Sequence, residues 1–237
     1  MTAPSPSNGP PWGFFERLRP DRIEAIRATR PVAYVPWGAL EWHSYHAPIG
    51  LDGLMAHGLA SALARVCGGV VLPPVYAGAD TIKPFKGFRH TLEHAPETIE
   101  RLCGEYLAQL DDEGFRVLVV VSGHSADGHL AALRAAVDAF TARAGPRALL
   151  VAAFDPVCDA YPPDHAAHGE TSLQLLFTPE LVDLGRIPDG PPPTLDADGV
   201  WGADPRTASA EDGAAILDLF VHRTHRLLQP LFDRYLP

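Results

Sequence analysis

The chain has 237 residues, 46% hydrophobic and 20% charged, which is the composition of a globular protein with a substantial core. Its 19 Lys and Arg against 29 Asp and Glu give a net charge of −10, which argues against nucleic-acid binding. We find no apolar run of membrane-spanning length, no secretory leader, and only three widely spaced cysteines. These features predict a cytoplasmic protein with neither disulfide framework nor thiolate metal site.

Predicted strands and helices alternate along the chain. Residues 1–12, rich in Pro, Ser, Gly and Asn, are predicted to be a disordered tail ahead of a single domain over 13–237. The predicted strands are 31–38, 68–75, 115–123 and 147–154. The predicted helices are 20–27, 54–66, 96–114, 127–145, 169–177 and 210–228, with a loop at 189–199. This alternation predicts an α/β layered fold with a mostly parallel sheet.

Three polar clusters follow the first, third and fourth predicted strands. They are "EWHSYHAPIGLD" (41–52), "SGHSADG" (122–128) and "DHAAHGETS" (164–172). Because ligands of parallel α/β folds gather at the carboxyl ends of the strands, we expect all three clusters at one edge of the sheet. Their convergence is a stronger indication of a site than any single cluster.

The clusters contain the His and carboxylate side chains of a metal site that activates water. The candidates are Glu41, His43, His46, Asp52, His124, Asp127, His165, His168 and Glu170. Each also has a structural explanation. Asp52 could cap the following helix, His124 could be a hydrogen-bonded strand end, and Glu170 could be a favourable anion in a first helical turn. Three histidines inside predicted helices are not expected to be ligands: His57, His222 and His225.

The clusters resemble segments of the creatininase family of amidohydrolases. "EWHSYHAPIGLD" is similar to its metal-binding segment, roughly E-Q-H-G-x-H-L-P-x-x-T-D. "SGHSADG" resembles its N-G-H-G-G-N segment, and "DHAAHGETS" resembles D-H-A-G-E-x-E-T-S. "GVWGADPRTASAEDG" (199–213) resembles a late G-V-x-G-D-P segment. The resemblance extends from about residue 20 to the C-terminus and implies a three-layer α/β/α sandwich.

The resemblance also implies a centre of two divalent metal ions. Glu41, Asp52 and His124 would bind one ion, while His43 and Asp52 would bind the other, so that Asp52 bridges them. A mixed His and carboxylate set accepts Zn, Mn or Fe, so the sequence does not select the metal.

One family ligand position is changed in this chain. Some members carry a carboxylate two residues after the strand-end histidine, where this chain has Ala126. Glu170 is therefore the candidate that completes the second metal. With Glu41 and Asp52 it balances three of four positive charges, and a bridging hydroxide would balance the fourth.

The expected reaction is attack of a metal-activated water on an amide-type carbonyl. His165 and Glu170 are the expected catalytic residues, because His165 matches the family histidine that handles protons beside Asp164. His46 matches a histidine that orients a ligand.

The pocket lining departs from the family pattern, so analogy does not fix the substrate. The departures are Arg89, His90, Ser122, Asp127 and His168, and whether the last two bind metal or substrate stays open. We expect hydrolysis of a carbon–nitrogen amide bond in a cyclic amide, lactam or formamide. The alternatives are a metallopeptidase that trims a short or modified peptide, and a non-catalytic protein that binds metal or a ligand. The expected partners are a small-molecule amide and other copies of the chain, a hexamer by resemblance, with neither nucleic acid nor membrane.

Overall fold

The structure, a computed structural model, describes residues 9–236. Its strands are β1 (Trp12–Phe14), β2 (Val32–Gly38), β3 (Gly69–Val71), β4 (Val75–Tyr76), β5 (Val117–Ser122) and β6 (Ala148–Ala152). Its helices are α1 (Pro20–Thr29), α2 (Leu51–Cys67), α3 (Ile82–Lys86), α4 (Pro96–Asp112), α5 (Asp127–Ala144), α6 (His168–Phe177), α7 (Leu195–Asp198) and α8 (Ala210–Tyr235). No helix within these residues is long and apolar enough to cross a membrane.

The strands form one sheet in the order β1-β3-β2-β5-β6, with β4 also paired to β2. Every one of these pairings is parallel. In β5, which lies between β2 and β6, Val119 and Val121 face one core cluster, whereas Leu118 and Val120 face the other. Such double-sided burial explains why the strand is apolar throughout.

Helices cover both faces of the sheet. Residues of α2, α6 and α8 contribute to the first core cluster, and residues of α1, α4 and α5 contribute to the second. The fold is therefore the three-layer α/β/α sandwich with a mostly parallel sheet that was expected.

Several element boundaries differ from the predicted ones. Residues 1–8 of the predicted tail lie outside the described residues, and Trp12 already belongs to β1. The predicted strand 68–75 is divided into β3 and β4 by two prolines, which lack the N–H that a sheet requires. Helix α2 begins at Leu51, three residues earlier than predicted, because Leu51 is a buried core residue.

Two short helices were not predicted, and one helix is longer than predicted. α3 follows β4, and α7 occupies part of the predicted loop 189–199. α8 continues beyond residue 228 to Tyr235, with Pro230 inside it. Phe232 is buried against the core, so tertiary packing stabilises this last part of α8 although Pro230 disfavours a helix there.

Candidate metal centre

The three polar clusters meet at the carboxyl edge of the sheet, as predicted. The loop after β2 carries Glu41 and His43, and the first turn of α2 carries Asp52. His124 follows β5, and Glu170 lies in the first turn of α6. All five side chains are buried, with at most 5% of any residue exposed. A cavity of about 450 Å³ opens onto three of them, namely Glu41, His124 and Glu170.

One group of potential ligand atoms consists of Glu41, Asp52 and His124. The Nδ1 atom of His124 lies 2.9 Å from Oε1 of Glu41 and 3.3 Å from Oδ2 of Asp52. One donor atom from each residue lies within 4.8 Å of the other two. Two carboxylates and one imidazole in this arrangement suit a divalent cation.

A second group consists of His43, Asp52 and Glu170. The Nε2 atom of His43 lies 3.0 Å from Oδ1 of Asp52 and 3.6 Å from Oε2 of Glu170. Asp52 thus directs one oxygen to each group. Asp52 and Glu170 also lie in first helical turns, so the explanation of each as a favourable anion at a helix start holds beside the metal-binding one.

Backbone groups orient the donor side chains. His43 donates from Nδ1 to the Glu41 carbonyl at 3.0 Å, which leaves its Nε2 facing the centre. His124 donates from Nε2 to the Ala79 carbonyl at 3.1 Å, which leaves its Nδ1 facing the centre. The Ile82 N–H donates to Oε2 of Glu41 at 3.0 Å. The ligand atoms are therefore positioned by groups outside the donor set.

Three buried atoms at the centre have no hydrogen-bond partner among the described residues. They are Oε1 of Glu41, Nε2 of His43 and Oδ1 of Asp52. Leaving such atoms unsatisfied costs about 1–3 kcal/mol each. Divalent cations would satisfy all three at once, so this side-chain set fits a metal centre.

Mutual electrostatics perturb the protonation of these groups. Burial alone would lower the pKa of His43, but the charges of Asp52, Glu170 and Glu41 raise it to about 10. Burial would raise the pKa of Asp52, whereas His43 and His124 hold it well below its usual range. In the metal-free protein, protons on the histidines therefore compensate part of the negative charge that metal ions would otherwise compensate.

His165 lies beside the centre, where the sequence placed it. Its Nε2 donates to the Trp42 carbonyl at 2.9 Å, and its Nδ1 lies 3.8 Å from Oε1 of Glu41. Burial and the positive charge of His43 lower its pKa to about 4, so it is a neutral base at pH 7. His165 also forms a third possible donor group with Glu41 and His43.

Asp164 and His46 form hydrogen bonds with α6 and belong to none of the possible donor groups among the described residues. Asp164 accepts from the N–H of Gly169 at 2.6 Å and of Glu170 at 3.1 Å, so it caps the start of α6. Burial raises its pKa to about 6. His46 makes a 3.0 Å hydrogen bond between Nε2 and Oγ1 of Thr171.

The two residues left open by the sequence occupy different places. Asp127 lines the cavity, whereas His168 contacts Oγ1 of Thr207 at 2.9 Å. Neither belongs to a donor group among the described residues, and the same is true of three helix histidines: His57, His222 and His225.

Some groups that position the donor side chains were not predicted from the sequence. Ala79 and Ile82 act through backbone atoms, which leave no signal in residue identity. His129, which is not among the candidates from the sequence, packs its ring against that of His124 with centroids 4.8 Å apart. Its position in the first turn of α5, close to His124 in the sequence, was the available signal.

A profile described as creatinine amidohydrolase, of the creatininase family, matches residues 16–228. The chain belongs to the creatininase family. This match confirms the family resemblance that the sequence motifs indicated, and the family is one of amidohydrolases. The donor groups of this chain suit divalent metal ions.

Two curated relatives and one solved structure illustrate its similarities. A creatinine amidohydrolase of Pseudomonas putida is 28% identical over 228 residues, covering 80% of this chain and 85% of its own. A mycofactocin precursor peptide peptidase of Mycolicibacterium smegmatis is 31% identical over 207 residues, covering 78% and 79%. A solved creatininase with one tryptophan replaced by alanine has a TM-score of 0.79 at 25% identity, covering 92% and 98%.

Proposed function

We propose that the chain is a hydrolase that holds two divalent metal ions and cleaves a carbon–nitrogen amide bond of a small molecule. Glu41, Asp52 and His124 hold one ion in this proposal. His43, Asp52 and Glu170 hold the other. The substrate class is a cyclic amide, lactam or formamide.

The observation that carries the proposal is the pair of donor groups that share Asp52. Its two oxygens face different histidines, at 3.0 Å from His43 and 3.3 Å from His124. A single ion would leave one of these groups buried without compensation. Glu170 replaces the carboxylate missing at Ala126, and the Ala166 N–H fixes its Oε2 at 2.7 Å.

Divalent cations supply Lewis acidity, which makes water more acidic and polarises a substrate carbonyl. His165 is the residue that moves a proton in this proposal. Its Nε2 is fixed by the Trp42 carbonyl, so only Nδ1 is available toward the centre. Its lowered pKa, about 4, leaves Nδ1 unprotonated and able to accept a proton at neutral pH.

A peptide substrate is the second candidate. The 31% identity to a peptide peptidase supports it, as does a cavity of about 450 Å³ that could admit a peptide end. The donor arrangement serves either substrate, because both contain an amide carbonyl.

The test is a hydrolysis screen on protein from which metal has been removed and to which Zn, Mn or Fe is then restored. Elemental analysis should give about two ions per chain, the number that the paired donor groups accommodate. Formamides, lactams and short peptides are offered in parallel. Cleavage of only the peptides would favour the second candidate. Metal retention without cleavage of any substrate would indicate a non-catalytic protein, and absence of retained metal would overturn the proposal.

A further inference from the structure

The cavity over the candidate metal centre has more negative charge than its donors require. Besides Glu41 and Glu170, it is lined by Asp80, Asp127 and Asp164. No described side chain that lines it is a lysine or arginine. Asp164 and Asp80 each accept from backbone N–H groups at the start of a helix, α6 and α5 respectively. The described lining nevertheless offers no lysine or arginine side chain to compensate the charges of the two aspartates Asp80 and Asp127.

The two aspartates stand together at the start of α5. Oδ2 of Asp80 accepts from the Gly128 N–H at 2.8 Å, directly after Asp127 in the chain. The Asp80 N–H donates to Oε1 of Glu93 at 2.8 Å, which holds the backbone at a positive φ of 58°. Asp127 is exposed and makes no hydrogen bond or ion pair with another side chain of residues 9–236. Both carboxylates therefore face solvent at the cavity.

The lysines of α3 do not neutralise this charge. Lys83 donates to the Thr91 carbonyl at 3.0 Å, and Lys86 pairs with Asp196. Lys86 also lies over the Phe85 ring, 4.6 Å from its centroid. Positive charge from α3 is thus engaged outside the cavity lining.

An exposed aromatic side chain lines the same cavity. Trp201 is 55% exposed, although its backbone is fixed to His165 by hydrogen bonds of 2.8 and 2.9 Å. A large exposed aromatic side chain on a fixed backbone leaves apolar surface in water, and a ligand that covers this surface gains binding free energy. Indole is the aromatic face that attracts cations most strongly.

We infer that the substrate carries a positively charged group, an ammonium or guanidinium. Asp80 and Asp127 bind this group by charge and Trp201 by its ring face, while the amide of the substrate lies at the candidate metal centre. The inference rests on the proposed function and narrows its substrate class. The cavity is a ligand site independently of its acidic rim, because its lining includes Glu41, whose buried Oε1 has no hydrogen bond within residues 9–236 and belongs to the candidate metal centre. The two carboxylates then act as specificity-determining groups.

The experiment uses hydroxamates, which chelate divalent metals through their carbonyl and hydroxyl oxygens. Three probes built on the same six-carbon chain are compared on metal-loaded protein by calorimetry: 6-aminohexanoyl hydroxamate, hexanoyl hydroxamate and the monohydroxamate of adipic acid. We expect the ammonium probe to bind about fivefold to tenfold more tightly than the neutral one, the scale of two partly exposed ion pairs. The anionic probe should bind more weakly than the neutral one, and added salt should reduce both differences.

Asp127→Asn and Asp80→Asn should each reduce the preference for the ammonium probe and leave the neutral probe unaffected. Asp138→Asn is the matched control, because Asp138 is exposed on the same helix and does not line the cavity. Equal affinity for all three probes would overturn the inference while leaving the metal centre intact. Lack of binding by even the neutral probe would instead count against the proposed function and, with it, the inference.

Discussion

The Nε2 atom of His43 lies 3.0 Å from Oδ1 of Asp52, and no other described residue hydrogen-bonds to either atom. Both side chains are fixed from behind. His43 donates to the Glu41 carbonyl, and the other oxygen of Asp52 accepts from the Ala39 N–H at 3.2 Å. Two groups that the backbone holds in place facing each other form a preorganised ligand pair.

Asp52→Asn should loosen both metal ions, because Asp52 directs one oxygen to each donor group. The substitution keeps the shape and removes the charge. We expect the affinity for each ion to fall by about tenfold or more. Metal stoichiometry after dialysis at limiting free metal measures the effect. Loss of one ion with full retention of the other would show that Asp52 does not bridge.

Glu170→Gln should release only the ion held with His43. Its carboxylate lies 3.6 Å from His43 and belongs to one donor group. We expect about one ion per chain, located crystallographically beside Glu41 and His124. Glu180→Gln is the control, because Glu180 is exposed shortly after α6 and belongs to no donor group. Two tightly bound ions in the Glu170 variant would refute its assignment as a ligand.

His165→Ala should preserve metal content and lower turnover by about 100-fold, the scale of general acid–base catalysis. The reason is that His165 is a neutral base whose Nδ1 faces the centre. His222→Ala on the exposed side of α8 should change neither quantity. Loss of an ion from the His165 variant would make it a ligand through the third donor group instead.

Metal affinity should rise with pH. In the metal-free protein the pKa of His43 is raised to about 10, despite burial, by neighbouring carboxylates, and that of His124 is also raised. The raised pKa values favour the protonated form of both imidazoles, so cations must displace protons, and displacement becomes easier as pH increases. Calorimetry in buffers of different ionisation enthalpy should detect release of protons when metal binds. Binding without proton release would contradict this electrostatic description.

Gly123→Ala should destabilise the protein and weaken metal binding together. A Cβ atom there would lie 2.0 Å from the Asp52 carbonyl oxygen, so β5 and α2 must separate. We expect a loss of about 3 kcal/mol or more in the free energy of unfolding. Gly104→Ala is the matched control, since its Cβ would meet nothing within 4 Å in the middle of α4. That change should stabilise by about 0.5–1 kcal/mol. Equal effects would show that the close approach at Gly123 is unimportant.

The sequence predicted the parallel sheet and the edge where the donors meet, because buried strands and polar strand ends leave local patterns. It did not predict α3, which is only five residues long and carries no periodic signal. It also placed Asp52 in a loop before a helix, whereas burial of Leu51 brings Asp52 into the first turn. The backbone contacts of Ala79 and Ile82 depend on tertiary approach, which residue identity does not encode.

The donors come from chain segments that are far apart in sequence, at 41–52, at His124 and at Glu170. All three cysteines of the chain are free, so disulfides do not join these segments. Bound cations would act as cross-links that close two long loops, and opening the fold would then require breaking coordination bonds. Chelation should therefore shorten the lifetime of the native protein against proteases.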